Sequence, residues 1–247
     1  RPLACIAESD RNDPRTVLPR AEHGLGMTAQ WDDDVHHALH TWLTGESQGY
    51  YADFDVDAAD AVRLVLEGAF FHAGTYSTFR GRTHGRAIDP TRLDGSLFVA
   101  SLQTHDQVGN RALGDRLGHL VPTTHLAAGA ALLLLGPFVP MLFMGEEWGA
   151  STPWQFFSSF DDPDLGAAVT EGRRREFGSH GWSSADVPDP QDPATVERSR
   201  LRWDETATEP HVALLDWYRT LIGLRHAERY LSDATLPLDF EVTSQHG

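Results

Sequence analysis

Acidic side chains follow each of four short apolar segments of this sequence. The segments are residues 3–7, 27–31, 97–102 and 139–144, and they have the composition of buried strands. The acids that follow them are Glu8 and Asp10, Asp32 to Asp34, Asp106, and Glu146 with Glu147. Because parallel strands end at one edge of their sheet, we expect these carboxylates to converge. Two carboxyl groups facing one sugar bond are the equipment for glycoside hydrolysis.

Glu8 and Asp106 suit two different roles in such a reaction. Glu8 ends an apolar strand, a setting that favours a protonated carboxyl group and hence a general acid. Asp106 stands among Gln103, His105 and Gln107, whose donors would keep a carboxylate ionised. Taken alone, each acid also fits an ordinary polar residue at a strand end. Together with the other strand ends, the pattern predicts Glu8 and Asp106 as catalytic residues.

Other residues at these strand ends could bind sugar. Trp31 offers a flat apolar ring of the kind that sugar rings stack on. Asp33 could contact sugar, but acids at the start of a helix also cap it and suit its dipole. Glu146 follows a glycine and could bind hydroxyl groups, or it could pair with an arginine. The residues predicted to bind substrate are Trp31, Asp33, His36, His105, Gln107 and Glu146.

Three histidines, His36, His37 and His40, lie on one predicted helix. His36 and His40 are four residues apart, a spacing that holds zinc in metalloproteases when Glu follows the first histidine. His37 occupies that position, and no Cys or third ligand is spaced nearby. The pattern therefore indicates a substrate-facing or core histidine at position 36. No metal and no organic cofactor is predicted.

Predicted helices alternate with the four strands. They span residues 32–43, 58–71, 123–135, 163–177 and 211–229, from apolar spacing and from Gly or Pro near their ends. This order predicts an α/β protein with a parallel sheet. The strands could form a small open sheet or half of a (β/α)8 barrel. Residues 81–95 and 183–194 are predicted to be exposed connectors, and the last helix is expected to bury residues including Leu214, Trp217, Tyr218, Leu221 and Leu224.

The composition excludes several classes of partner. The formal charge of −16 argues against nucleic-acid binding, which needs clustered cations. The one basic cluster, Arg173 to Arg175, is predicted to be a solvated helix face or a partner for acidic loops. No apolar run is long enough to span a membrane. The single cysteine, Cys5, excludes an internal disulfide and fits a reducing, cytoplasmic location.

Several stretches of the sequence resemble one enzyme family. They are AESDRNDPR (7–15), AQWDDDVHHALHTWLTGESQGYYADF (29–54), LQTHDQVGNRALGDRL (102–117) and FMGEEWGASTPWQFF (143–157). In these stretches the chain resembles the malto-oligosyltrehalose trehalohydrolases, which belong to the α-amylase superfamily of glycoside hydrolases. The block at 29–54 is specific to this family. The pair His105-Asp106 by itself would indicate only the superfamily.

The resemblance implies the C-terminal half of a (β/α)8 TIM barrel, with the fifth to eighth strands, over residues 1–230. Residues 231–247 would begin a C-terminal β-sandwich domain. The implied reaction is retaining hydrolysis of the α-1,4 bond next to the trehalose end of malto-oligosyltrehalose. Glycogen branching enzymes are an alternative, but they do not resemble the block at 29–54. A non-catalytic carbohydrate-binding remnant is an alternative of another class.

Carried over by position, Glu8 matches the family's general acid/base at the end of the fifth strand. Asp106 matches the transition-state stabiliser after the seventh strand, and His105 matches its substrate-binding neighbour. Thr104 stands where the family usually has Asn, and its hydroxyl group is expected to be tolerated. The nucleophilic Asp would precede Arg1. We therefore expect a fragment that is inactive by itself.

Overall fold

Four short parallel strands form the main sheet of the computed structural model, which describes residues 3–178 and 187–235. The strands are β1 (Ile6–Ala7), β2 (Ala29–Trp31), β5 (Phe98–Ala100) and β6 (Val139–Pro140), and β3 (Thr75–Ser77) pairs with β4 (Arg82–His84) in a separate antiparallel hairpin. The order in the main sheet is β1-β2-β5-β6, with every pairing parallel. Leaving the separate hairpin aside, each strand of the main sheet lies beside the strand of that sheet that follows it in sequence, as in a (β/α)8 barrel. The predicted α/β class with a parallel sheet is confirmed.

The helices separate these strands along the chain. They are α1 (Asp33–Thr44), α2 (Ala58–Gly68), α3 (His105–Gly109), α4 (Leu117–Leu120), α5 (Thr123–Leu135), α6 (Pro163–Gly178), α7 (Pro193–Arg198), α8 (His211–Ala227) and α9 (Arg229–Ser232). The five predicted helices correspond to α1, α2, α5, α6 and α8, each with ends within one turn of the prediction. The four short helices were not predicted, because four to six residues are too few to show a helical period.

Two compact units make up the chain. The first comprises residues 3–102, 127–141 and 218–235, and it contains both sheets. Its core includes the contact of α1 with α2 and β5, where Val35, Leu39 and Val65 are buried. The second unit comprises residues 103–126, 142–178 and 187–217. Its core includes Trp148 and Leu214, which are 2% and 3% exposed.

Helix α2 ends three residues before its predicted end because the chain turns at Ala69. Ala69 has a φ of +62°, and its N–H donates to the carbonyl of Val65 at 2.8 Å. Phe70 and Phe71 continue the apolar spacing but lie beyond the helix. Phe70 packs edge-to-face on Phe98, with ring centroids 5.4 Å apart. Apolar spacing alone could not distinguish a further helical turn from a loop that packs on the core.

Strand β1 is shorter and more exposed than predicted. Only Ile6 and Ala7 are in the strand, and the side chains of Leu3 and Ile6 are exposed. In the described sheet β1 pairs with β2 alone, so it is an edge strand. The prediction of a buried strand at residues 3–7 is therefore wrong for this chain.

Two surface predictions also differ from the structure. The predicted connector at 81–95 contains β4, and all three residues of β4 pair with residues of β3. On α8, Leu214, Tyr218 and Leu221 are buried as predicted, whereas Trp217 and Leu224 are exposed. The apolar stripe of α8 is thus narrower than its sequence suggests. The predicted connector at 183–194 lies partly outside the described residues, and α7 begins within it.

Arg173 is buried rather than solvated. Its guanidinium lies over the rings of Phe156 and Phe177, 4.9 and 4.5 Å from their centroids, and donates to the carbonyl of Gly109. Burial lowers the pKa of Arg173. The prediction of a solvated face was wrong at this position, because cation–π contacts let an arginine enter an aromatic setting.

The predicted β-sandwich domain is not tested by the described residues. Within 231–247, residues 231–232 belong to α9, and residues 236–247 lie outside the described ranges. The division at residue 230 stays a prediction. None of the helices in residues 3–178 and 187–235 is long and apolar enough to cross a membrane.

The guanidinium of Arg225 on α8 donates hydrogen bonds to carbonyl groups at and just beyond the C-terminal end of α5. Its Nη1 donates to the carbonyls of Leu134 and Gly136 at 2.7 and 2.8 Å, and its Nη2 donates to that of Phe138 at 2.7 Å. The last carbonyls of a helix have no partner within the helix. Arg225 therefore joins the end of α5 to the approach to β6 within the first unit.

Arg225→Met is expected to lower the free energy of unfolding by about 3 kcal/mol, because hydrogen bonds from a charged donor are replaced by unpaired carbonyls. Arg229→Met is the matched control, since Arg229 is exposed and pairs with Asp233 across a helix surface at 3.3 Å. It should change stability by less than about 0.5 kcal/mol. Thermal unfolding of the protein containing this chain would measure both. Equal effects of the two substitutions would contradict the role given to Arg225.

Candidate active site

Glu8 and Trp31 lie at neighbouring strand ends in the first unit. Ala7 pairs with Gln30 in parallel register, so Glu8, which follows β1, is level with Trp31, the last residue of β2. Trp31 is partly buried, but Glu8 is exposed. The apolar setting predicted for Glu8 is therefore not found in this chain, because Glu8 follows the edge strand of the described sheet.

The three acids at the start of α1 have different surroundings. Asp32 is the N-cap, accepting from the N–H of Val35 at 3.3 Å, and burial raises its pKa well above the ordinary value. Asp33 is partly exposed. Asp34 is buried, and its oxygen accepts hydrogen bonds from outside the helix. The capping interpretation is confirmed for Asp32, and the sugar contact of Asp33 stays a prediction.

His36 lies inside the first unit and is 1% exposed. Its Nδ1 is 2.8 Å from the carbonyl of Leu102, and its Nε2 is 3.1 Å from the hydroxyl of Tyr51. Burial lowers the pKa of His36 well below the ordinary value, so the ring is neutral. Nδ1 then donates to the carbonyl, and Nε2 accepts from the hydroxyl. This geometry supports the core-histidine interpretation, and His36 has no part in the function proposed below.

The neighbouring histidines are also engaged within the protein. The ring of His37 stacks on Tyr50 with centroids 4.6 Å apart, and burial lowers its pKa to about 3. His40 lies 2.7 Å from a carboxylate oxygen of Glu46. Over the described ranges, no group of three or more His, Cys, Asp or Glu side chains is arranged to hold a metal ion.

Residues 104–107 form a capping box at the start of α3 in the second unit. The hydroxyl of Thr104 accepts from the N–H of Asp106 at 3.2 Å. In the reciprocal bond, Gln107 Oε1 accepts from the N–H of Thr104 at 2.8 Å. A threonine is a good N-cap. Thr104 therefore has a structural role that suits the hydroxyl group found there.

His105 and Asp106 lie side by side at the surface of the second unit. His105 Nε2 is 3.4 Å from Asp106 Oδ1, and the two side chains are 56% and 49% exposed. Gln103 uses its Oε1 to accept from the N–H of Leu117 at 3.0 Å, while the oxygen of Gln107 serves the capping box. Of the donors predicted around Asp106, His105 thus lies beside its carboxylate.

Glu146 is buried in the second unit, 5% exposed, near the guanidinium of Arg116. Burial lowers the pKa of Arg116 to about 10, and the negative charge of Glu146 opposes that shift. Arg116 also donates to the carbonyls of Met144 and Thr152, both at 2.7 Å, and so fixes the segment that follows β6. The charge of Glu146 thus acts on an arginine, while its pairing with one and its binding of sugar both stay predictions.

A polar network around the segment after Glu8 was not predicted. Its members Asn12, His72 and His84 are all buried in the first unit. Asn12 lies inside the stretch 7–15 that carries the family resemblance, and this was the one feature of the sequence that pointed to a role for it. His72 and His84 had no such signal, because their partners are distant along the chain.

Gly85 allows the hairpin to approach the segment that precedes it. A Cβ atom at Gly85 would lie 1.6 Å from the carbonyl oxygen of His72, and Gly85 has a φ of +73°. Gly81, in the turn of the same hairpin, has a φ of +61°, but a Cβ atom there would have open space around it. Replacing either glycine by alanine would put a side chain on a left-handed residue. Only at Gly85 would that side chain also collide with backbone atoms.

Gly85→Ala is expected to lower the free energy of unfolding by about 3 kcal/mol or more, because backbone atoms must move. Gly81→Ala should cost only about 1 to 2 kcal/mol, the cost of a left-handed alanine. Chemical denaturation of the two variants would measure the difference. Similar values for both would show that the close approach at Gly85 does not matter.

Comparison with known proteins finds several curated relatives of one name. The malto-oligosyltrehalose trehalohydrolase of Arthrobacter ramosus is 58% identical to this chain over 225 residues, which is 91% of the chain and 39% of that protein. The enzyme of the same name from Mycobacterium tuberculosis is 52% identical over 236 residues, 96% of the chain and 40% of that protein. The malto-oligosyltrehalose trehalohydrolase of Saccharolobus solfataricus is 46% identical over 220 residues, which is 89% of the chain and 36% of that protein.

Over most of its length the chain is similar to malto-oligosyltrehalose trehalohydrolases. It spans about two fifths of the length of the curated trehalohydrolases that it matches (39% and 40% for the first two above). A solved structure of a putative α-amylase from Salmonella typhimurium superposes with a TM-score of 0.85 at 40% identity, over 95% of this chain and 40% of that one. No family model matches the chain.

Proposed function

We propose that the protein containing this chain hydrolyses malto-oligosyltrehalose to trehalose and a shorter malto-oligosaccharide. The observation that carries this proposal is the 58% identity to a malto-oligosyltrehalose trehalohydrolase over 91% of the chain. The acids Glu8 and Asp106, which the family resemblance assigns to catalysis, are both present. The block at 29–54 favours this activity over that of a branching enzyme.

Glu8 would be the general acid/base of the reaction. As the acid, its carboxyl group protonates the glycosidic oxygen while the trehalose unit departs. As the base, its carboxylate then removes a proton from the water that releases the malto-oligosyl unit. The position of Glu8 directly after β1 supports this role, because barrel enzymes carry catalytic groups at the carboxyl ends of strands.

Asp106 would stabilise the positive charge that develops on the sugar ring. A carboxylate suits this role because the transition state resembles an oxocarbenium ion. His105, 3.4 Å away, would hold a sugar hydroxyl and keep Asp106 oriented. The capping box of α3 supports the proposal by fixing the backbone of both residues.

The remaining predicted residues would bind the sugar chain. Trp31 would stack on a sugar face, and Asp33 would accept from hydroxyl groups. Gln107 would use its amide N–H groups, because its oxygen is engaged with Thr104. Glu146 would bind a hydroxyl group only if its carboxylate turned from the charge of Arg116.

No residue of this chain is assigned the role of nucleophile, so the proposed activity belongs to the whole protein. A cytoplasmic location, predicted from the single cysteine, is part of the same proposal.

Product analysis tests this function. The purified protein containing this chain would be incubated with malto-oligosyltrehalose and, separately, with a malto-oligosaccharide of equal length that lacks the trehalose end. We expect trehalose and a shortened chain from the first and much slower cleavage of the second. New α-1,6 branches would indicate a branching enzyme, and binding without any product would indicate a carbohydrate-binding protein.

A further inference from the structure

Asn12 anchors the segment that follows Glu8. It is 4% exposed and has a φ of +50°, a left-handed conformation that Asn tolerates better than most residues. Its Nδ2 donates to Asp34 Oδ2 at 2.7 Å and lies 3.3 Å from the carbonyl oxygen of His72. The chain therefore has a fixed point four residues beyond Glu8.

Asp34 accepts two hydrogen bonds at one carboxylate oxygen. Besides Asn12, the backbone N–H of His72 donates to Asp34 Oδ2 at 2.8 Å. Asp34 is 5% exposed, so these bonds form away from water, where they are strong. Burial raises the pKa of Asp34, and the bonds from His72 and Asn12 oppose that shift.

The position of Asp34 in α1 does not by itself explain these bonds. Acids in the first turn of a helix commonly serve the free N–H groups of that helix. Here Asp32 is the cap, through its bond from the N–H of Val35. Asp34 instead bonds two other parts of the chain, the segment after β1 and the segment before β3.

The hairpin holds the same segment from its other side. His84 on β4 donates from Nε2 to the carbonyl of Asp10 at 2.9 Å. Arg80 pairs with the carboxylate of Asp10 at 2.8 Å, and the N–H of Arg86 donates to the carbonyl of Asn12 at 2.9 Å. The segment after Glu8 thus meets α1 and the hairpin at several points, and Asp34 is the buried carboxylate among the acceptors named here.

We propose that Asp34 is a positioning residue for the general acid, holding the segment after Glu8 through Asn12 and the hairpin through His72. The proposal rests on the proposed function, because it assigns Asp34 to the placement of the proposed acid. Asp34 itself is buried and does not meet the substrate. Its effect passes through the backbone between Asn12 and Glu8, a distance of four residues.

Asp34→Asn tests the proposal. The bonds from Asn12 and from the N–H of His72 would then go to a neutral amide oxygen instead of a carboxylate oxygen, so both are weakened. Trehalose release per folded protein should fall about 10- to 100-fold, since small displacements of a catalytic group have effects of that size. KM should stay within about twofold, because the binding residues are unchanged. Asp55→Asn is the control, because Asp55 is exposed.

A second substrate distinguishes a misplaced general acid from an active site that is disturbed as a whole. Malto-oligosyl fluoride needs no proton on its leaving group. The initial burst of fluoride from Asp34→Asn should therefore stay within about threefold of wild type while trehalose release falls. An equal fall for both substrates, or no fall for either, would overturn the proposal. If Asp34→Asn does not fold, Asn12→Gly removes the same hydrogen bond and keeps the left-handed backbone, with the same expected results.

Hydrogen exchange keeps this proposal distinct from the proposed function. In the unliganded protein, the amides of His72 and Arg86 should exchange faster in Asp34→Asn than in wild type, because both belong to the network. A wild-type protein that releases no trehalose would refute the proposed function, and with it the role of Asp34 toward an acid. Unchanged exchange at both amides in an active protein would refute the positioning role alone.

Discussion

Glu8→Gln is expected to reduce trehalose release by about 100- to 10,000-fold, the contribution of a general acid or base in enzymes. Glutamine keeps the size of the side chain but cannot donate a proton to the glycosidic oxygen or accept one from water. The fall should appear in kcat, with KM little changed, because proton transfer occurs in the transition state. Steady-state rates of the protein containing this chain, with chromatographic detection of trehalose, would measure it.

Glu67→Gln is the matched control for that substitution. Glu67 is an exposed acid of α2 in the same unit, paired with Arg63 at 2.6 Å across one helical turn. Its replacement should leave the rate within about twofold, since surface ion pairs contribute little. A rate for Glu8→Gln close to that of this control would remove Glu8 from the mechanism.

Asp106→Asn is expected to reduce kcat by about 100- to 1,000-fold, the size found when one electrostatic partner of a transition state is removed. The amide lacks the negative charge that would stabilise the positive charge on the sugar. The capping box should survive, because it uses the backbone N–H of Asp106 rather than its carboxylate. The variant should therefore unfold at the same temperature as wild type.

Asp164→Asn provides the corresponding control in the second unit. Asp164 is exposed in the first turn of α6, and its replacement should affect neither the rate nor the unfolding temperature. If Asp106→Asn lost stability in step with activity, its role would be structural. If it kept full activity, the assignment by family resemblance would be wrong.

The sequence predicted the elements whose signals are local. Helix α1 shows its signals in adjacent residues: Asp32 at the N-cap, an apolar stripe, and Gly45 at the C-terminal end with a φ of +72°. Helix α5 was predicted to the residue, because an apolar run ends at Gly136-Pro137. The parallel sheet followed from the alternation of strands with helices. These inferences need no knowledge of distant contacts.

The remaining features depend on contacts between residues far apart along the chain. The β3–β4 hairpin has strands of three residues, too short for an alternating pattern, and its bonds to Asp10 and Asn12 span about seventy positions (70 for Arg80 and 74 for His84). Helical spacing placed His36 on α1, but only the contacts with Leu102 and Tyr51 show that it faces inward. Likewise, an apolar run predicted burial near Glu8, whereas burial depends on which strands lie beside β1.

The most direct test of the central claim compares two leaving groups in the Glu8→Gln variant. Malto-oligosyltrehalose needs a proton on its departing oxygen, and malto-oligosyl fluoride does not. We predict that the variant releases an initial burst of fluoride within about tenfold of the wild-type rate, while its trehalose release falls by about 100-fold or more. Equal losses on both substrates would contradict the assignment of Glu8 as the acid that releases trehalose.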